Sequence, residues 1–242
     1  MSPPVPVIPG FTVLAEVARG GQGVVYRARH DASGGTVALK LLLDADPGSA
    51  LRFRQEGKVL AALVHPHLLR VCGVGEERGV PYLAIEFIDG EDLGRLVARG
   101  GTPPAAWIGR VLATVAHTLQ FCHEHGIVHR DLKPANILIE QATQRPVLVD
   151  FGLVKRDPTQ LHLQSMDGAV LSQSGSIKGT PQYMAPEQVN PKVFGEVDAR
   201  TDVYALGATL YQLLSGRPPF EGRVAVVVMR KVTRKAPRDP RE

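Results

Sequence analysis

Cysteine is scarce. The 242 residues hold two, Cys72 and Cys122. Neither stands in a zinc-ligand spacing, and both sit in apolar stretches, so the sequence predicts buried thiols in a reducing compartment. Aromatic residues are also few, at 5%. None follows Phe220, although residues 217–242 carry eight Lys/Arg against three Asp/Glu. A nucleic-acid surface wants a basic stripe with interleaved aromatics, so that function class is set aside and the basic tail reads as a solvated segment. No run approaches 18 consecutive apolar residues, which excludes a membrane span within the chain. The lead-in MSPPVPVIPG lacks a basic stretch followed by an apolar one, so it does not read as a secretory signal. These absences predict a cytoplasmic protein, with a membrane anchor outside residues 1–242 left open.

What is present is an ordinary globular composition: 44% hydrophobic residues and a net charge of +4. The length suits one large domain or two lobes. Residues 1–10 form an extended, proline-rich lead-in. From there to residue 88 short β-type runs dominate: 11–17, 24–29, 36–43, 68–74 and 81–88, parted by glycine-rich or charged turns. One helix interrupts them, with Ser49 as candidate cap and Phe53, Glu56, Leu60 and Leu63 at helical spacing. Long helices follow. In 104–125, Ile108, Val111, Leu112, Val115, Leu119 and Cys122 share a face, and Gly126 stops it. In 201–215, Thr201 is the candidate cap, and Val203, Leu206, Leu210, Leu213 and Leu214 form the expected apolar face. The expectation is an α+β chain: a strand-rich N-terminal lobe over 11–88 and a larger helical lobe over 89–242.

The chemistry lies in the connecting segments. The stretch ARGGQGVV (18–25) joins two strand runs. Its glycines let backbone N–H groups approach phosphate oxygens, although a plain turn reads the same way. It is not a Walker loop, because no Gly-Lys-Ser/Thr ends it, and not a dinucleotide fingerprint, because a strand follows it. Lys40 stands in the apolar strand VALK and is either snorkelling or paired. Glu56 breaks the apolar face of the following helix and is the candidate partner. The loop HRDLKPAN (129–136) packs Asp131, Lys133 and Asn136 between two apolar runs, and Asp150 follows in VLVDFG. Buried charge is costly unless paired or used. Carboxylates beside an amide oxygen make hard ligands for Mg²⁺, and the whole set matches the parts of phosphoryl transfer.

Eight motifs follow one another along nearly the whole chain. They are the glycine loop, VALK, Glu56, HPHLLRV (65–71), HRDLKPAN, DFG (150–152), GTPQYMAPE (179–187) and DVYALG (202–207). In this order they resemble a eukaryotic-type Ser/Thr protein kinase of the kind found in bacteria. The resemblance implies a bilobal kinase-like fold, ATP as cofactor with Mg²⁺ (Mn²⁺ the alternative), and Ser/Thr hydroxyls of proteins as acceptors. It implies that Asp131 accepts the acceptor's proton, that Lys133 touches the γ-phosphate and that Asn136 and Asp150 hold the metal. Lys40, oriented by Glu56, takes the α- and β-phosphates. Ala18, Gly20, Gly21 and Gly23 line the phosphate loop; Val25, Ala38 and Leu138 sandwich adenine. The backbones of Glu86 and Ile88 read its edge, and Asp92 reaches the ribose. His129, Phe151, Leu60 and Val71 form a stacked apolar column. Arg130 waits for a phosphate, and Ser172 and Ser174 are the candidate autophosphorylation sites, with self-association as the route. Thr180 and Asp202 support the catalytic loop, and Glu187 awaits an arginine partner.

Two features depart from the pattern. Ala18 stands where the family has its first glycine, which strains the chain only if that position needs φ > 0. After GRPPFEG the sequence runs into RVAVVVMRKVTRKAPRDPRE, so the final helices of the large lobe are expected to be missing. The alternative function is therefore a catalytically impaired nucleotide-binding module acting through a partner. Small-molecule phosphotransfer is a third reading, against which the APE-type segment argues.

Overall fold

β-Branched and aliphatic residues alternate in the first ninety residues, and alternation on a pleated strand sends every second side chain to one face. In the computed structural model, which describes residues 6–20, 23–43, 47–151 and 180–241, these runs become five antiparallel strands. They are β1 (Phe11–Gly20), β2 (Gly23–His30), β3 (Thr36–Leu41), β4 (Val71–Glu77) and β5 (Val80–Glu86), in sheet order β1-β2-β3-β5-β4. Helix α1 (Pro47–Ala61) separates β3 from β4. Val24, Tyr26 and Ala28 on β2 and Val37, Leu39 and Leu41 on β3 pack on one face, joined by Ile8 and Ala84. Each buried valine, leucine or isoleucine among them contributes about 1.5–3 kcal/mol.

The alternate positions Val25, Ala38 and Lys40 project from the opposite face, where register pairs Val25 with Lys40 and Ala38 with Ile85. Helix α1 packs against the same face: a Cβ on Gly57 would meet Leu83 Cδ2 at 2.4 Å, and Leu83 lies across from Lys40. Ser49 is not the cap of α1. The helix begins at Pro47, and the Ser49 hydroxyl instead accepts from Arg52 Nη2 at 3.0 Å within the first turn. Cys72, expected to be buried, is exposed. Alternation along β4 buries Val71 and turns its neighbour outward.

The chain divides into two compact units, Met1–Asp89 and Gly90–Glu242. The second begins with β6 (Gly90–Asp92) and α2 (Leu93–Gly100), followed by α3 (Ala105–Glu124). Strands β6, β7 (Ile137–Glu140) and β8 (Pro146–Leu148) make a small antiparallel sheet with β7 in the middle. Helix α3 buries the face its periodicity predicts, from Ile108 to Cys122. Just past its end Gly126 takes φ +72 while its N–H donates to His123 O at 2.9 Å.

Beyond residue 180 come α4 (Pro186–Val189), α5 (Pro191–Phe194), α6 (Ala199–Ser215) and α7 (Ala225–Val232). Helix α6 differs from its sequence reading in two ways. Its cap is Asp198, whose carboxylate accepts the Arg200 N–H at 2.8 Å, so Thr201 lies inside the helix. Its buried side is Thr201, Asp202, Ala205, Ala208, Thr209 and Leu213, whereas Val203, Leu210 and Leu214 are exposed. The buried carboxylate of Asp202 must face its hydrogen-bond donors, and that requirement sets the rotation of the helix. The valine-rich run near the end is α7, which buries Val228, Met229 and Val232 against Val189 and Phe220.

Candidate active site

The loop that follows α3 is built on one buried carboxylate. Asp202, fully buried on α6, accepts the backbone N–H of His129 through Oδ2 and that of Arg130 through Oδ1, both at 2.8 Å. Its Oδ2 also contacts His123 Nε2 at 2.7 Å. Hydrogen bonds to a charged acceptor are each worth about 1.5–3 kcal/mol, so this cluster anchors the loop firmly.

His129 is fully buried, and its ring lies 4.5 Å from that of Phe151 between centroids. Its Nε2 is 3.0 Å from the carbonyl of Val149. A carbonyl can only accept, so Nε2 carries the proton and Nδ1 is left to accept the Asp131 N–H at 3.3 Å. Burial pushes the imidazole below its usual range, against the opposing pull of Asp202, Asp131 and Asp150. His129 is therefore a neutral hydrogen-bonding strut with no route to solvent.

Asp131 and its neighbours form a polar network. Lys133 Nζ donates to Asp131 Oδ2 and to Thr180 Oγ1, each at 3.1 Å. Asn136, on the short 3-10 helix Pro134–Asn136, donates through Nδ2 to the Asp131 carbonyl at 2.7 Å. With its nitrogen committed, the Asn136 side chain offers its oxygen as a ligand. The Asn136 carbonyl accepts the Val149 N–H at 3.0 Å, which seats the end of the 146–149 segment, and so Asp150, next to this loop. Asp150 is exposed and has φ +53. An amide oxygen and a carboxylate are hard donors of the kind Mg²⁺ prefers. Among the described residues no cluster of three or more His, Cys, Asp or Glu forms a self-sufficient metal cage. The donor set thus fits an ion that takes its remaining ligands from phosphates and water.

The first unit carries the other expected residues. Gly23 has φ +147, and a Cβ there would lie 2.0 Å from the Leu41 carbonyl oxygen, so no other residue fits. Ala18 is not among the residues with positive φ, so its methyl brings no backbone strain. Gly20 has open space around it, and Gly21 lies outside the described residues. Lys40 is half-buried beside Val25 and Ala38 on the sheet face that α1 covers. Glu56 lies on α1, but its side chain is outside the described atoms. Leu60 and Val71 are both buried. The Glu86 N–H is committed to the Arg70 carbonyl at 2.9 Å. Ile88 is buried.

Two residues of the second unit have settled structural partners. Asp92 caps α2, accepting the Arg95 N–H at 2.9 Å, and pairs with the Arg95 guanidinium at 3.2 Å. Leu138 lies on β7 opposite Asp92 and Val147. Glu187, expected to await an arginine, accepts a hydrogen bond from the Thr201 hydroxyl at 2.6 Å. Ser172 and Ser174 lie outside the described residues. Burial pushes the Cys122 thiol up to about 12, so it is no nucleophile.

Two residues of this site, His123 and Gln188, were not read from the sequence, and Thr201 was read only as a helix cap. His123 stands six positions before His129 but carries no motif. Gln188 directly follows the APE triplet, and its side chain donates to the Arg130 carbonyl at 2.7 Å.

The five-stranded sheet with its single helix, and the helical unit with its HRD loop, define an α+β, bilobal kinase-like fold. The protein kinase domain family matches residues 11–239, and the chain belongs to that family. It is similar to the serine/threonine-protein kinase pkn3 of Myxococcus xanthus, 37% identical over 224 residues, which cover 89% of this chain and 39% of that protein. It is also similar to PknB of Mycobacterium leprae, at 37% identity with 91% and 35% covered. The DNA damage-responsive serine/threonine-protein kinase RqkA of Deinococcus radiodurans is 40% identical, with 90% and 32% covered. The chain thus spans 32–39% of the length of these relatives. Among solved structures, Rad53 residues 1–466 in complex with AMP-PNP superposes with a TM-score of 0.74 at 27% identity, covering 93% of this chain and 53% of that one.

Proposed function

We propose that this chain transfers the γ-phosphoryl group of ATP to serine or threonine hydroxyls of proteins. The observation that carries this reading is the bridge made by Lys133, whose Nζ lies 3.1 Å from both Asp131 Oδ2 and Thr180 Oγ1. A carboxylate held in place by a lysine, in a loop anchored by its neighbours, is what in-line transfer to an alcohol needs. The bond formed joins the acceptor oxygen to the γ-phosphorus, and the bond broken joins that phosphorus to the β–γ bridging oxygen. Asp131 orients the hydroxyl and takes its proton. Lys133 neutralises charge on the γ-phosphoryl oxygens. Asn136 and Asp150 hold the divalent cation, Mg²⁺ in this reading with Mn²⁺ as substitute, which supplies charge neutralisation at the phosphates when bound. By family resemblance Lys40, with Glu56, takes the α- and β-phosphates, and Gly20 to Gly23 cover them. Positioning of this kind can supply about 7–11 kcal/mol, more than proton transfer alone at about 10²–10⁴-fold.

The same resemblance supports self-phosphorylation at Ser172 or Ser174, with Arg130 as the receiving cation and association of two copies as the route. Among the described residues no helix is long and apolar enough to cross a membrane. Use of ATP and two unpaired cysteines support a cytoplasmic site of action. The test is transfer of labelled γ-phosphate to the chain itself and to a generic basic protein, wild type beside Asp131→Asn. Transfer by the wild type alone is expected. Equal labelling by both proteins, or by neither, rejects the reading.

A further inference from the structure

Asp131 is reached through an awkward stretch of backbone. Arg130 takes φ +66, a left-handed conformation that a residue with a Cβ enters only at a cost. Such a conformation persists where the surroundings over-determine it. Here Asp202 holds the plane before Arg130 by its N–H, at 2.8 Å. The plane after it, which joins Arg130 to Asp131, is held at both ends. Its N–H donates to His129 Nδ1 at 3.3 Å, and its carbonyl accepts from Gln188 Nε2 at 2.7 Å.

His129 belongs to the loop itself, but Gln188 does not. It sits on α4, where its Oε1 accepts the Ala185 N–H at 3.0 Å. Ala185 has no side-chain acceptor to return the bond, so this is half of a capping box. The two contacts leave the amide no choice of orientation. A carbonyl can only accept and a backbone N–H can only donate, so nitrogen faces Arg130 and oxygen faces Ala185. The side chain is thus a two-ended clip between the segment that carries Thr180 and Glu187 and the peptide plane that aims Asp131.

Resting on the phosphotransfer reading above, we propose that Gln188 is a positioning residue. It couples the seating of the 180–189 segment to the direction in which Asp131 presents its carboxylate. When Ala185 and its neighbours are in place, the clip locks the Arg130–Asp131 plane. When they are displaced, that plane loses its outside tether and Asp131 loses its aim. Gln188 touches neither reacting atoms nor nucleotide, so the effect falls on turnover and not on ATP binding.

Two variants separate the ends of the clip. Gln188→Glu keeps the acceptor for Ala185 but sets a carboxylate oxygen against the Arg130 carbonyl. Gln188→Met keeps the length and removes both bonds. Each is purified in the full chain and assayed for kcat and for KM of ATP. Amide hydrogen exchange is followed in peptides spanning residues 127–133 and, as a reference, α3. The expected result is a fall in kcat of about tenfold in both variants, KM for ATP within about twofold of wild type, and faster exchange confined to 127–133. Unchanged kcat and unchanged exchange overturn the proposal. So does a uniform loss of exchange protection that includes α3, which assigns Gln188 to general stability. If the wild type shows no transfer, the phosphotransfer reading has failed, and the exchange comparison alone decides whether Gln188 holds the loop.

Discussion

Asp202 Oδ1 accepts the backbone N–H of Arg130 at 2.8 Å, across 72 residues of chain. One buried carboxylate on α6 therefore carries the conformation of a loop it does not belong to. The loop's own residues satisfy one another only partly, and the helix supplies the rest.

Asp202→Asn keeps the shape but turns one acceptor into a donor that faces an N–H. With hydrogen bonds to a buried charge worth about 1.5–3 kcal/mol each, the variant is expected to lose about 2–4 kcal/mol of stability. Urea unfolding measures it. A midpoint equal to wild type shows that the carboxylate does not anchor the loop.

His129 gives a pH dependence with a definite sign. Its folded-state pKa is depressed by burial, while in the unfolded chain an imidazole titrates near about 6.5. Above that value both states are neutral and the full stability is present. As pH falls below it, the unfolded chain takes up a proton that the folded one refuses, and stability is lost until the folded pKa is reached. Chemical unfolding at pH 7.5 and at pH 5.5 is expected to show a smaller decline in His129→Phe than in wild type. Some decline persists, because burial also lowers His65. Identical declines in the two proteins refute the assignment.

Gly23→Ala and Ala18→Gly, reverse exchanges on the two strands of one hairpin, are both destabilising but by different amounts. Gly23→Ala puts a methyl 2.0 Å from the Leu41 carbonyl oxygen at φ +147, and is expected to cost about 2 kcal/mol or more. Ala18→Gly, at a position without positive φ, adds only unfolded-state freedom and costs about 0.4–1 kcal/mol. Thermal midpoints of the two variants rank them, and a Gly23→Ala protein as stable as Ala18→Gly contradicts the geometry.

Thr201→Val tests the bond to Glu187. Valine matches the volume of threonine but removes the donor that lies 2.6 Å from Glu187 Oε1. A loss of about 1.5 kcal/mol is expected by denaturant unfolding. The double variant Thr201→Val with Glu187→Gln is expected to lose less than the two single losses combined. Strict additivity means that the pair does not interact.

The sequence was informative where chemistry demands fixed residue types at fixed spacing. The strands of the first unit follow from alternation, and α3 from an apolar period that ends at Gly126. Asp131, Lys133 and Asn136 stand together in the structure because they share one short loop, whereas Thr180 reaches Lys133 from 47 residues away. Helix caps were less legible. Ser49 and Thr201 are residue types suited to capping, yet each uses its hydroxyl elsewhere, because a side-chain bond is decided by what lies nearby in space. Helix α6 shows the same limit on a larger scale. Leucine spacing points to one face, but the need to bury Asp202 against loop amides turns another inward. His123 and Gln188 were invisible for that reason, since their partners lie in distant parts of the chain.

The notch at Gly57 has a consequence for the rotation of α1 about its own axis. Because the helix backbone presses close to Leu83, an axial rotation that brought any other residue of α1 over that spot would drive a side chain into the sheet. The residue with nothing to offer a ligand thereby acts as a key, and it fixes which face of α1 meets the sheet.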